Sequence, residues 1–174
     1  DAASVLAPGL TMRRVAVVLI VWAFGAVYLF SVPVFSGFRL MSGDLGDWRL
    51  GVFLAEHWRM VFDGTASWPW RQPPYFAPAA DSIAFTDPSF GLAIPYVGLR
   101  WAGLDPFLSF QITVIAYSYA GFLGFVALAL RVGRVSMALA TFGALGFAFS
   151  NMNLVKLIHP IYAPVSLLAV LALL

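Results

Sequence analysis

The sequence predicts an all-α integral membrane protein: about four transmembrane helices, with amphipathic juxtamembrane helices in a long first extracytoplasmic loop. Three observations lead there. Charged residues make up 10% of the 174-residue chain and hydrophobic residues 61%, so an aqueous fold would lack polar side chains to cover its surface. Residues 15–32 and 106–130 form uncharged apolar runs, each long enough to cross a bilayer core as a helix. Seven of the eight acidic residues fall within 35–105, together with five of the ten basic ones. Such a segment belongs in water or at an interface.

Taken in order, residues 1–14 form a cytoplasmic segment ending in Arg13 and Arg14, and residues 15–34 the first transmembrane helix. Basic residues before an apolar run keep that end in the cytoplasm. No small-residue cleavage site follows, which argues against a signal peptide, and Pro33 ends or kinks the helix. The extracytoplasmic loop 35–105 contains two expected interfacial helices, about 47–62 and 88–102. The second could also be a short span, but its length, Pro95 and Arg100 disfavour a full crossing. If it stays at the surface, Arg13, Arg14, Arg131 and Arg134 all fall on one side. The second transmembrane helix is expected at 106–130, a cytoplasmic turn at 131–135, and a third helix at 136–150. Ala138, Ala140, Gly143, Ala144 and Gly146 give that third helix a small-residue surface suited to close contact. An extracytoplasmic connection at 151–160 leads to the start of a fourth helix at 161–174. The chain begins at Asp1 rather than Met and stops inside SLLAVLALL, so it is expected to be part of a longer polypeptide.

Composition also narrows the function. A net charge of +2 with no dense Lys/Arg run does not suggest a nucleic-acid partner. The absence of cysteine excludes disulfides, thiolate metal sites and cysteine nucleophiles. No GxxxxGK phosphate loop occurs, which disfavours nucleotide-driven chemistry. The apolar runs hold almost no ionisable residues, contrary to what an ion path requires.

The chemistry-bearing stretch is GDLGDWRLGVFLAEHWRMVFDG, residues 43–64. Leu50, Leu54, Trp58 and Val61 recur at helical spacing, and Arg49, Glu56, Arg59 and Asp63 cluster opposite. Glu56, Arg59 and Asp63 read as a solvated ladder of weak ion pairs. His57 borders the apolar face, either as a hydrogen-bonded packing residue or as a ligand or base. Asp44 and Asp47 allow two readings. One is a glycine-rich turn with a single capping aspartate, for which Asp47 at the helix start is the candidate. The other is a pair of carboxylates holding a divalent cation, or serving as base and orienting partner. At 100° per residue Asp47 projects with Leu54 and Val61, toward the membrane or protein body, and capping alone does not require that direction. Beyond the helix, Trp68, Trp70, Tyr75 and Phe76 suit a headgroup-level belt or a sugar-stacking surface. Arg71 among them can contact a phosphate, and Asp87 before Pro88 reads as a helix N-cap.

The order of these features resembles the N-terminal part of GT-C type membrane glycosyltransferases, especially multi-spanning bacterial members. Gly43, Asp44, Asp47, Arg49, Glu56, His57 and Trp58 carry the likeness. Pro73, Pro74, Thr86, Asp87, Asp105, Pro106 and the FAFSNMNLVKLIHP stretch through His159 add to it. The resemblance implies sugar transfer from a polyprenyl-phosphate donor on the extracytoplasmic face of a bacterial inner membrane. It implies that Asp47, and secondarily Asp44, act catalytically on the acceptor hydroxyl, with Mg or Mn as the candidate cation between them. Arg71, Lys156, His159 and His57 become candidate substrate-binding residues. The expected partners are membrane lipid, the polyprenyl-phosphate sugar and further membrane subunits. Such enzymes generally have many more spans than this chain offers. The competing reading is therefore a noncatalytic accessory or scaffold subunit of a larger membrane complex.

Overall fold

The structure is a computed structural model and describes residues 11–75, 78–149 and 159–174. Its elements are helical throughout; no strand occurs among the described residues. Helix α1 spans Met12–Leu29 and α2 spans Ser31–Phe35. The break between them lies at Phe30, three residues before Pro33. Proline has no amide hydrogen, and its ring clashes with the carbonyl four residues earlier, here Leu29, so the helix must be interrupted there. Helix α3 covers Leu45–Phe62, α4 Phe90–Trp101, α5 Pro106–Arg131 and α6 Met137–Phe149. A 3-10 turn, Ser82–Phe85, sits in the segment between α3 and α4. The helices α1 and α5 are long and apolar enough to cross a membrane.

Helix α5 is the common wall of the fold. Asp105 caps it, accepting from the Phe107 and Leu108 amides at 3.0 and 3.1 Å, and Pro106 fills the first helical position where no amide hydrogen is needed. Toward its N-terminal end, Phe110, Val114 and Tyr117 pack with Trp48, Val52 and Ala55 of α3 and with Leu92, Tyr96 and Val97 of α4. Toward its C-terminal end, Phe122 and Val126 pack with Val18 of α1 and with Ala140, Ala144 and Ala148 of α6. The buried side of α6 is made by Ala140, Thr141, Ala144 and Ala148, with Gly143 against the Phe125 ring, whereas Ala138 and Gly146 of the expected small-residue surface are exposed. Helices α1 and α6 run parallel, with Gly25 pressed against the Phe149 ring at one end and Arg14 beside Met137 at the other.

Two boundaries and the burial of one helix differ from expectation. Helix α4 begins at Phe90, not Pro88, and Asp87 does not cap it. Ser89 precedes the helix in the left-handed region (φ 51°), and the Pro88 carbonyl is taken by the indole N–H of Trp58 at 2.5 Å. The final apolar run opens as a 3-10 segment, Pro160–Leu167, before a short helix α7, Leu168–Leu171. Pro160 and Pro164 remove two backbone donors from that stretch. Helix α3 is not a surface helix with one wet face. Trp48 and His57 lie about 180° apart around it, yet both are buried; α4, α5 and the segment after α3 enclose it between them.

The final segment lies against α5 at two glycines. A Cβ at Gly121 would fall 2.7 Å from Ser166 Cβ and 2.9 Å from its carbonyl oxygen, and one at Gly124 would fall 2.6 Å from Val170 Cγ2. By contrast Gly98 in α4 faces open space. Gly121→Ala is therefore expected to destabilise the fold by about 1–3 kcal/mol through overpacking. Gly98→Ala should be neutral or add up to about 1 kcal/mol from helix propensity. Thermal midpoints of the two variants in detergent check this contrast, and a Gly121→Ala midpoint equal to that of the parent would contradict the packing.

Candidate functional site

The GDLGD turn resolves into two aspartates with different tasks. Gly43 takes a left-handed conformation (φ 71°) that turns the chain into α3. Asp44, not Asp47, is the N-cap; its Oδ1 accepts from the Gly46 amide and, at 3.2 Å, from the Asp47 amide. A side chain at position 46 would crowd that folded-back carboxylate, because a Cβ there would sit 2.9 Å from Asp44 Oδ1. The cap satisfies amides that no earlier carbonyl can reach. The expectation that Asp47 caps the helix is thereby corrected: a helix that starts at Leu45 puts Asp47 at the third position, free of capping duty.

Asp47 projects to the same side of α3 as Leu54, which is fully buried. There its Oδ2 meets Nδ1 of His159, the residue just before the 3-10 segment. Neither side chain is sealed off, with 36% of Asp47 and 45% of His159 exposed. The pair is held from both sides. Trp48 packs edge-on against Phe110 of α5, and Gly51 lets the Phe110 ring approach to where a Cβ would lie 2.6 Å away. These contacts seat the first turns of α3 on α5. On the other side, the His159 ring meets Tyr162 edge-on at 6.2 Å. When Nδ1–H donates to a carboxylate, the imidazole is held in one tautomer and Nε2 is the nitrogen left as proton acceptor. The pairing of His159 with Asp47 was not visible in the sequence, because the two residues lie more than a hundred positions apart.

The other candidates go elsewhere. His57 is buried, and both its nitrogens are engaged. Nε2 donates to the Trp70 carbonyl at 2.7 Å, since Nδ1 must accept from the indole N–H of Trp68 at 2.9 Å. It is a neutral packing residue that ties the 67–71 segment to α3. Burial pushes its pKa below the ordinary value, with the Trp70 hydrogen bond acting weakly in the opposite sense. Arg71 pairs with Asp81 at 3.4 Å on an exposed surface and lies against the Trp70 ring. Among the described residues no ion pair joins Arg71 to Asp44 or Asp47. Lys156 lies outside the described residues, as does Phe76. The same holds for the whole of the SNMNLVKLI stretch, residues 150–158.

The reading of Glu56, Arg59 and Asp63 as a solvated ladder is incomplete. Arg59 does bridge Glu56 at 2.6 Å and Asp63 at 2.5 Å. Glu56, however, also accepts from the Tyr96 hydroxyl at 2.6 Å and from Arg100 Nε, and the indole N–H of Trp101 donates to Asp63 at 2.7 Å. Only 22% of the Glu56 side chain is exposed. It is a tie between α3 and α4. Burial would raise the carboxyl pKa, but the hydrogen bonds from Tyr96, Arg59 and Arg100 and the Arg59 charge together outweigh it and hold the carboxyl below its ordinary value. A signal was present in the sequence: Tyr96 and Arg100 are four apart, so both project from one face of α4.

A divalent cation would need several oxygen donors converging on one point. Asp44 is committed to the helix cap, and among the described residues no group of three or more His, Asp or Glu side chains is placed to hold a metal ion. The described residues alone do not make up a cation site. Comparison with protein-family models, with curated proteins and with solved structures finds no match to this chain.

The shifts at His57 and Glu56 make opposite demands on charge but act in the same pH direction. His57 is held neutral, so the unfolded chain takes up a proton below about 6.5 that the folded chain refuses. Its contribution is complete above that pH and declines as pH falls. Glu56 is held ionised, so its contribution is complete above about 4.3 and is lost as pH falls through its lowered folded value. Stability in detergent should therefore drop in two stages on acidification. His57→Gln should remove the first stage and Glu56→Gln the second, the latter also costing about 1–3 kcal/mol at neutral pH by stranding Arg100. Denaturation midpoints across pH 3–8 are the measurement; a parent and variants with parallel profiles would refute the assignment.

Proposed function

We propose that this chain is the N-terminal, membrane-embedded part of a GT-C-like glycosyltransferase, in which His159 is the general base and Asp47 its orienting partner. The observation that carries the reading is the half-exposed Asp47–His159 pair, in which a carboxylate meets Nδ1 of an imidazole that is not buried. The chemistry follows from that arrangement. Nε2 of His159 takes the proton from an acceptor hydroxyl as its oxygen bonds to the anomeric carbon of the sugar. The bond from that carbon to the lipid-phosphate oxygen breaks, and the phosphate leaves with the electron pair. Asp47 stabilises the imidazolium so formed. Lys156, three residues before His159 in sequence, is the candidate for the phosphate charge; Arg71 is the weaker one, because Asp81 already meets it.

Membrane embedding is supported by surface and by polarity. Helix α1 turns Val17, Ile20, Phe24 and Tyr28 outward, and α6 turns Leu139 and Phe142 outward. A continuous apolar exterior of this kind suits lipid, not water. Arg14 at the start of α1 lies beside Leu130 and Met137, which flank the α5–α6 turn carrying Arg131 and Arg134. Four arginines thus share one end of the helices, the pattern of a cytoplasmic face. Phe110, beneath the Asp47 pair, lies about 30 Å from Arg131 along α5 at the helical rise, close to the thickness of a bilayer core. We accordingly assign residues 35–105 and His159 to the extracytoplasmic side. The alternative, a noncatalytic subunit, draws support from Trp70, Phe85 and Trp101, which are more than half exposed and suit a partner or a headgroup layer equally.

Two experiments test these readings separately. Because the chain has no cysteine, single cysteines report topology cleanly. A Thr65→Cys variant in intact cells should react with an impermeant maleimide, and Ser136→Cys only after permeabilisation; the reverse pattern, or labelling of both, would reject the orientation. For the chemistry, His159→Gln and Asp47→Asn in the protein as expressed in its own membrane should each lower transfer from a radiolabelled polyprenyl-phosphate sugar. The expected loss is about 10²–10⁴-fold with thermal midpoints preserved. Undiminished transfer in either variant would remove that residue from the mechanism.

A further inference from the structure

Gly25 of α1 meets Phe149 of α6 at one end, and toward the other end a groove lies between the two helices. Its volume is about 780 Å³, and its walls include Val17 and Val21 of α1 and Phe142 and Leu145 of α6. That volume lies within the ordinary range for small-molecule sites. Arg13 and Arg14 stand at its mouth. A second groove, about 340 Å³, lies on the other flank of α1 between Val18 and Leu123, and Arg14 borders it as well.

The charge at this end is one-sided. The sequence has no Asp or Glu from residue 2 to 43 or from 106 to 174. Arg13, Arg131 and Arg134 are all exposed here, near the α5–α6 turn. An apolar trough that ends at clustered guanidinium groups matches one kind of molecule, an acyl chain joined to an anion. Guanidinium binds phosphate with well-matched geometry, and a basic cluster beside a membrane span attracts anionic headgroups.

We infer that the α1–α6 groove binds an anionic phospholipid, its phosphate at Arg13 and Arg14 and one acyl chain lying along Val17, Val21, Phe142 and Leu145. The inference rests on the membrane-embedded reading but not on sugar transfer. The groove is at the opposite end of the helices from Asp47 and His159, so its occupant is a structural or regulatory lipid of the arginine-side leaflet and not the sugar donor. By filling the groove between α1 and α6, it holds the first helix against the rest of the fold.

The test is native mass spectrometry of the intact chain, released from neutral detergent doped with equal phosphatidylglycerol and phosphatidylcholine of identical chains. Phosphatidylglycerol adducts should outnumber phosphatidylcholine adducts, and Arg13→Gln should cut that preference about fivefold, the worth of one basic residue near an anionic surface. The double variant Arg13→Gln/Arg14→Gln should abolish the preference, whereas Ala138→Trp, which fills the groove wall, should reduce both adducts. Excess glycerol phosphate should displace neither, because without an acyl chain the anion has only the guanidinium groups to hold it. Equal retention of the two lipids, a preference unmoved in the double variant, displacement by glycerol phosphate, or a lipid-free dimer in place of adducts would each overturn the proposal. Carbonate extraction of the same protein from membranes separates the two levels. Release into the supernatant defeats the membrane reading itself, whereas retention without lipid preference defeats only the site.

Discussion

The carboxylate of Glu56 is the interaction on which the arrangement of α3 and α4 depends. It is largely withdrawn from water, and a carboxylate in that position must be met by charged and hydrogen-bonding donors or be lost to protonation. Tyr96 and Arg100 supply these from α4, and Arg59 from its own helix. Because the donors come from two elements, the pairing fixes one helix against the other. The consequence reaches the far end of α3. With α4 tied down, Leu92, Tyr96 and Val97 join the cluster around Phe110, and the first turns of α3 are seated on α5 with Asp47 turned inward to His159.

Helix α5 carries the second constraint. It is one apolar rod with different neighbours at its two ends: aromatic and branched residues of α3 and α4 toward its N-terminus, alanines of α6 and the flank of α1 toward its C-terminus. Close approach is possible where α5 itself is small, at Gly121 and Gly124, and there the final 3-10 segment is laid down. That segment is preceded by His159. The position of the imidazole is therefore set by glycine contacts well along α5 as much as by Asp47. This is why a pair joined from opposite ends of the chain can have a defined geometry.

How much of this was legible varies with the distance over which each feature is decided. The helical extent of α3 and α5 followed from periodicity and from missing charges, and the break near Pro33 from the chemistry of one residue. The direction of Asp47 was also readable, since 100° per residue puts it with Leu54. The identity of the cap was not, because moving the helix start by two residues transfers the task from Asp47 to Asp44. Glu56 was read as a surface group because its visible partners, Arg59 and Asp63, are its neighbours in sequence. Its deciding partners are on another helix. His57 shows the same limit: its apolar border suggested packing, but only the return of Trp68 and Trp70 over α3 uses both ring nitrogens.

By itself, then, the sequence determined a helical chain, two helices long and apolar enough to cross a membrane, and a charged segment set between them. Those are properties of composition and of spacing within a few turns, and each stretch carries them without its neighbours. The tertiary structure decided which carboxylate caps, which ties two helices together and which meets a histidine. A carboxylate's role depends on the donors that reach it, and here those donors arrive from α4 and from the final segment, brought near only when α5 gives both a surface to pack on.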